Sequence, residues 1–301
     1  MKSFLINILV FCITGMLIGE VLVRSMYLTS EIPRRTIDKN RIQKYFPEQK
    51  GYWKGGVHSW QINKMGWPGE LPECFDNLQI VLGDSFVENF MNPANCHQAV
   101  LLKKKVPQFN FMEAARSGVS LIEAMEISKQ LDSLNPKGYL FYVKDGDFIE
   151  SIQEIRTLNH ITQLSLQNQK IIPGKLKAPG LKRILYNWKF LYYLYLRFPL
   201  MRMKKTKNTL EEIESTSLYD KEIEHLLSFI TSNYEINNKT LVFIPNTKKS
   251  IIEAANAFGF KVIVLNSTGD ASWTFDHDSH WTCYGHERAA SQVANHLNKI
   301  H

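Results

Sequence analysis

From Leu78 onward the sequence alternates between short apolar runs and longer amphipathic segments, and this alternation constrains the fold more than any other feature. Such alternation is typical of parallel strands joined by helical crossovers. It predicts strands near residues 78–83, 109–112, 138–143, 240–245 and 261–265. It predicts helices near residues 86–105, 120–132, 219–234, 248–258 and 283–299. We therefore expect an α/β domain built on a central parallel sheet.

The first predicted strand ends abruptly in Gly83-Asp84-Ser85, which places a hydroxyl at the carboxyl edge of the sheet. Open α/β folds carry their chemistry at that edge. A serine becomes a good nucleophile only when a base takes its proton and a third group orients that base. The stretch that follows the last predicted strand offers His280 as the base and Asp278 as the orienting carboxylate. Ser85 is therefore the candidate nucleophile.

This acidic, histidine-rich stretch also allows other interpretations. Asp276 is the alternative partner of the histidine. Histidine and carboxylate side chains also suit zinc, and a metal site could be built from Asp276, His277, Asp278, His280 and His286. The catalytic interpretation explains the same clustering, and no C-x-x-C spacing indicates a zinc or thioredoxin-type site. We expect neither a metal nor a cofactor.

Together these motifs resemble the SGNH (GDSL-type) esterases and acyltransferases, over roughly residues 60–145 and 270–299. The resemblance implies a three-layer, flavodoxin-like fold with strand order 2-1-3-4-5. It implies that the oxyanion is bound by the backbone N–H groups of Ser85 and Gly118. Gly146 stands where the family carries an asparagine, so only its backbone can donate there. Losing one oxyanion donor typically costs about 3 kcal/mol of transition-state stabilisation.

The run Asp278-Ser279-His280-Trp281 is also similar to a motif of SGNH-like enzymes that O-acetylate bacterial exopolysaccharides. The resemblance implies a serine-dependent ester hydrolase or O-acyltransferase that acts on acyl groups of cell-envelope glycans or polysaccharides. One alternative is a lipid-directed esterase or lysophospholipase. The other is a non-catalytic glycan-binding or assembly protein that keeps the fold, to which the missing asparagine points.

Residues 1–24 form an apolar segment long enough to cross a bilayer as a helix. No small-x-small cleavage site follows, which favours an uncleaved signal anchor over a cleaved signal peptide or a buried helix. Lys2 favours a cytoplasmic amino terminus, whereas Arg24, Arg34 and Arg35 beyond the segment favour the reverse. The resemblance to cell-envelope proteins implies a single-pass protein whose catalytic domain lies outside the cytoplasm.

Two regions depart from the alternating pattern. We predict that residues 25–77 form a turn-rich lead-in to the domain at 78–301, and that residues about 150–215 form an insertion within that domain.

The positive charge of the chain is concentrated in this insertion. Residues 171–208 hold ten Lys or Arg and no acidic residue, so the net charge of +7 leaves 7 − 10 = −3 for the rest. This local basicity does not indicate nucleic-acid binding. Residues 181–198 are dense in aromatic and basic side chains. This composition suits contact with a membrane surface or a polyanion. The alternative is an ordinary insertion helix that covers the sheet.

Four cysteines are present, of which Cys12 lies in the apolar leader. A disulfide between Cys74 and Cys96 would suit an oxidising compartment. The alternative is that these cysteines are free buried thiols. We expect Cys283 to serve only in packing.

Overall fold

The structure, a computed structural model, describes residues 2–198 and 219–300. Helix α1 spans Lys2–Ser25 and is long and apolar enough to cross a membrane, with a mean hydropathy of 2.3. Residues 199–215 of the predicted insertion lie outside the described residues.

The lead-in is more regular than its sequence predicts, because it forms two small antiparallel hairpins. Strands β1 (Arg35–Ile37) and β2 (Gln43–Tyr45) make the first, and β3 (Lys50–Tyr52) and β4 (Ser59–Gln61) make the second. Strands of three residues are too short to produce a clear period-2 pattern.

The remaining elements follow in chain order: β5 (Leu78–Gly83), α2 (Ser85–Glu88), α3 (Gln98–Lys105), β6 (Asn110–Ala115), α4 (Leu121–Leu131), β7 (Gly138–Val143), α5 (Asp145–Ile149), β8 (Gln163–Ser165), β9 (Lys170–Ile172), α6 (Pro179–Asn187), α7 (Lys189–Arg197), α8 (Asp220–Asn233), β10 (Lys239–Phe243), α9 (Lys249–Ala257), β11 (Lys261–Val264), β12 (Thr274–Phe275), β13 (Asp278–Trp281) and α10 (Cys283–Ile300).

The central sheet is parallel throughout and has the order β6-β5-β7-β10-β11. Numbered along the chain, this is the predicted order 2-1-3-4-5. Strands β5 and β7 are buried at every position, as expected for apolar runs covered on both faces. One core cluster packs α4, α8 and α9 on one face, and a second packs α3 and α10 on the other. The predicted three-layer α/β fold is therefore confirmed.

Two predicted boundaries are wrong for identifiable reasons. Strand β6 continues past Met112 because the carboxylate of Glu113 is buried but satisfied, accepting hydrogen bonds from the His97 ring at 2.7 Å and from the Ala99 N–H at 3.1 Å. The helix predicted at 86–105 is two helices, since Asn89 adopts a left-handed conformation that ends α2.

The cysteine pairing differs from the expectation. Cys96 is bonded to Cys283, 187 residues away, and Cys74 is free and exposed. A Cys74–Cys96 bridge, the alternative of free buried thiols at these positions and a purely packing role for Cys283 are therefore all wrong. Cys96 lies just before α3 and Cys283 begins α10, and these two helices pack side by side, which brings the two sulfurs together.

The insertion contacts the end of α1. Glu20 accepts hydrogen bonds from the backbone N–H groups of Lys189 at 3.1 Å and Phe190 at 2.7 Å. Arg24 donates to the carbonyl of Asn187 at 2.7 Å. A Cβ at Gly19 would lie 2.8 Å from the Phe190 ring, so glycine permits this close approach. Helix α7 is thus fastened to the carboxyl end of the apolar helix.

Candidate active site

Ser85 is the first residue of α2, directly after β5. The Asp84 carboxylate accepts the Phe86 N–H at 2.9 Å and so caps this short helix. Its second oxygen lies 2.7 Å from the Lys144 ammonium. Asp84 therefore holds the turn in shape, and the serine hydroxyl projects from the end of the strand.

The stretch that carries His280 is a small antiparallel hairpin of β12 and β13, which lies beyond the last of the predicted strands. Trp281 anchors it, because its buried ring packs edge-on against Phe86 and Trp273. The Trp281 carbonyl also accepts a hydrogen bond from Asn92 at 2.8 Å. The hairpin is thus fixed to the segment that follows the serine.

The structure brings together the three side chains predicted for catalysis. His280 Nε2 lies 2.7 Å from Ser85 Oγ, and His280 Nδ1 hydrogen-bonds to Asp278. The backbone N–H of His280 also donates to Asp278 at 2.9 Å. This backbone bond, followed by the ring, lowers the pKa of Asp278 and keeps it ionised. Among the described contacts of the ring, the carboxylate partner is Asp278, so Asp276 is not brought to it.

A hydroxyl, an imidazole and a carboxylate joined in this order can carry out nucleophilic acyl transfer. The chain is similar to an esterase and to a G-D-S-L lipolytic protein. The first is the esterase EstA from Pseudoalteromonas sp., at 11% identity over 75% of this chain and 98% of that chain, with a TM-score of 0.39. The second is a member of the lipolytic protein G-D-S-L family from Veillonella parvula, at 10% identity over 74% and 98%, with a TM-score of 0.36. No protein-family model and no curated protein sequence matches the chain. The reaction proposed for this chain therefore rests on the contacts among Ser85, His280 and Asp278.

The two glycines predicted to bind the oxyanion follow the strands on either side of β5. Gly118 comes after β6 and has a φ of +77°, a conformation that favours glycine. Gly146 lies in the first turn of α5, after β7. It lines a cavity of about 480 Å³ together with Phe86, Lys144 and Ser279. The oxyanion roles of Ser85, Gly118 and Gly146 stay predictions.

Lys144 was not anticipated as a site residue. Its ammonium pairs with Asp84 and lies 4.8 Å from the centre of the Phe86 ring, which in turn packs 5.2 Å from the His280 ring. Burial would lower the pKa of Lys144, but Asp84 and Asp147 outweigh it and raise that pKa. This chain therefore places a protonated lysine beside the serine turn, two residues before Gly146.

Glu88 is the second group that sequence reasoning missed. It lines a cavity of about 260 Å³ that also contains Ser85 and His280. Its buried carboxylate accepts hydrogen bonds from the Ser117 N–H at 2.7 Å, the Ser117 hydroxyl and the Tyr45 hydroxyl. Burial, and then the Glu88 charge, raises the pKa of Tyr45 and keeps it protonated. Because the Ser117 N–H already donates a hydrogen bond to Glu88, it is not free to bind an oxyanion.

The alternative metal site finds no support in the described residues, where no three His, Cys, Asp or Glu side chains are placed to hold an ion. His286 is buried on α10, and its ring nitrogen Nδ1 accepts a hydrogen bond from the side-chain amide of Gln98 at 3.1 Å. Burial, and then the nearby His97 and His280, lowers the pKa of His286 to about 3. This histidine is therefore a neutral packing residue.

Proposed function

We propose that this protein is a serine-dependent ester hydrolase or O-acyltransferase. The observation that carries the proposal is the 2.7 Å contact between Ser85 Oγ and His280 Nε2, with Asp278 on the other ring nitrogen. Ser85 attacks the ester carbonyl while His280 takes its proton, and the alcohol leaves with that proton. The acyl group then passes from Ser85 to water or to a sugar hydroxyl, activated in turn by His280.

The charge that develops on the carbonyl oxygen is stabilised by backbone N–H groups of Ser85, Gly118 and Gly146 in this proposal. Asp278 orients the imidazole and stabilises its protonated form. No metal or nucleotide enters any step. The proposed substrates are O-acyl groups on cell-envelope glycans, as the short Asp278–Trp281 motif first suggested.

The proposed location is the outer side of a membrane, with α1 as a single-pass anchor. The Cys96–Cys283 disulfide supports this side, because stable disulfides are characteristic of oxidising compartments and rare in the cytosol. The length and apolar composition of α1 support the anchor.

A fluorophosphonate probe tests the proposed nucleophile directly. We expect one covalent adduct per chain, located on Ser85 by peptide mass spectrometry, because His280 makes its hydroxyl reactive. The matched control is the His280→Ala variant, in which labelling should fall to the background of heat-denatured protein. Well-folded protein that remains unlabelled would instead support the non-catalytic alternative.

A lipid-directed esterase is the second candidate, and exposed apolar residues on the insertion favour it. Leu181, Ile184 and Trp188 are 54%, 55% and 42% exposed on the segment that continues into α7, next to the end of α1. This arrangement suits contact with a membrane surface. Turnover of p-nitrophenyl esters separates the two candidates: we expect acetate to be preferred, and a maximum at long acyl chains would favour the lipid.

A further inference from the structure

A third cavity, of about 500 Å³, lies between the lead-in and the insertion, and we call it the basic cavity. Its charged lining consists of Arg34, Arg35, Lys177, Lys182 and Arg183, joined by His160. No described Asp or Glu is among its lining residues. The cations come from segments about 140 residues apart in sequence, and the fold gathers them around one space.

Most of this positive charge has no carboxylate partner among the residues that the structure describes. Within residues 2–198 and 219–300, no carboxylate forms an ion pair with Arg34, Lys177, Lys182 or Arg183. Burial, and then the charges of Arg35 and Lys177, lowers the pKa of Lys182. Like charges held together in a partly buried space repel one another, and a bound anion would relieve that repulsion.

The basic cavity adjoins the cavity that contains Ser85. The two share Ile32, Pro33 and Arg35 as lining residues, so a ligand that occupies one reaches the boundary of the other. Arg35 marks this boundary, because its guanidinium also lies beside Tyr45 and feels the charge of Glu88. A substrate could place an anionic group in the first cavity and an ester in the second.

The uncharged lining residues indicate the chemistry of the ligand. Gln43 and Tyr186 offer hydrogen-bonding groups, and the rings of Phe46 and Tyr186 offer faces for a sugar ring. A volume of about 500 Å³ is within the range of small-ligand sites. The other uncharged lining residues, Ile32, Pro33, Leu176 and Pro179, are apolar, so it is the cluster of five cations that points to an anionic ligand.

We propose that the basic cavity binds an anionic sugar unit, bearing a carboxylate or a phosphate, of the glycan whose ester is presented to Ser85. This inference rests on the proposed function and narrows it to acidic glycans. Arginine and lysine recognise either anion through charge-assisted hydrogen bonds.

The test is a binding measurement by calorimetry on the full-length chain in a polyoxyethylene detergent. The probes are trigalacturonate as the carboxylated sugar, glucose 6-phosphate as the phosphorylated sugar and maltotriose as the neutral one. We expect at least one anionic probe to bind and maltotriose not to. In the Lys177→Gln/Lys182→Gln variant the affinity should fall more than about tenfold, because two charged donors are lost. The exposed Lys170 on β9 gives the matched control, and Lys170→Gln should bind like the wild type.

Equal binding of charged and neutral sugars, or equal losses in the double variant and Lys170→Gln, would overturn the proposal. A further measurement mixes the protein with vesicles that contain phosphatidylglycerol. If the protein bound these vesicles and none of the sugars, the cavity would be assigned to a lipid headgroup and the proposal would also fail. Turnover of neutral p-nitrophenyl acetate by the wild type reports separately on Ser85. Turnover without anion binding would reject anion binding in the basic cavity and leave the proposed ester hydrolase standing. Anion binding without turnover would reject the ester hydrolase, and with it the presentation of the bound glycan's ester to Ser85, while the basic cavity would remain an anion site.

Discussion

Replacing Ser85 with alanine is expected to reduce kcat for p-nitrophenyl acetate by on the order of 10⁴-fold or more, as in other serine triads. The variant loses the hydroxyl that His280 Nε2 contacts at 2.7 Å, and with it the proposed covalent step. His280→Ala should cause a similar loss, because the serine then keeps its proton. The measurement is steady-state release of p-nitrophenolate by the full-length protein.

The double variant Ser85→Ala/His280→Ala tests whether the two side chains act as one unit. Groups that act as one unit are strongly non-additive, so the double variant should be no slower than either single variant. Ser117→Ala is the matched control, since it removes a hydroxyl from the same cavity that is bonded to Glu88. A loss at Ser117 as large as the loss at Ser85, or full turnover by Ser85→Ala, would reject Ser85 as the nucleophile.

Removing the disulfide by Cys96→Ser/Cys283→Ser should lower the free energy of unfolding by about 4 kcal/mol, since the bond closes a very long loop. The two cysteines are separated by 187 residues, and the bond ties the start of α3 to the start of α10. Guanidinium unfolding of the full chain in detergent measures the change. Turnover should fall as well, because Cys283 lies only three positions after His280.

Cys74→Ser is the control for this experiment, because Cys74 is exposed and unpaired with another cysteine. We expect its free energy of unfolding to stay within about 0.5 kcal/mol of the wild type, as for ordinary surface substitutions. A reducing agent should destabilise the wild type as much as the double substitution does, and should leave the double variant unaffected. A double variant as stable as the wild type would show that the bond contributes little.

The sequence was most informative where a whole element is buried. Strands β5 and β7 match their predicted bounds, because each is an apolar run that ends in a glycine or a charged residue. It was least informative where a polar group is buried with a partner far along the chain. Glu113 pairs with His97 and Glu88 with Tyr45, and neither pairing leaves a periodic signal.

The candidate site shows the same division. Ser85, His280 and Asp278 could be proposed from the sequence, because each follows a strand or precedes a helix at a known edge of the sheet. Lys144 and the basic cavity could not, since both arise from contacts between distant segments. The partner of Cys96 was likewise hidden, because cysteine spacing does not determine which helix ends meet.

If Ser85 and His280 act as proposed, their order along the chain bears on when the protein could first become active. The proposed nucleophile is residue 85, but its proposed base lies 195 positions later, shortly before helix α10. During synthesis Ser85 therefore has no base for most of the time that the chain is growing. A polypeptide interrupted anywhere before the hairpin would hold an inert hydroxyl, so a premature product could not attack esters in the compartment where it is made.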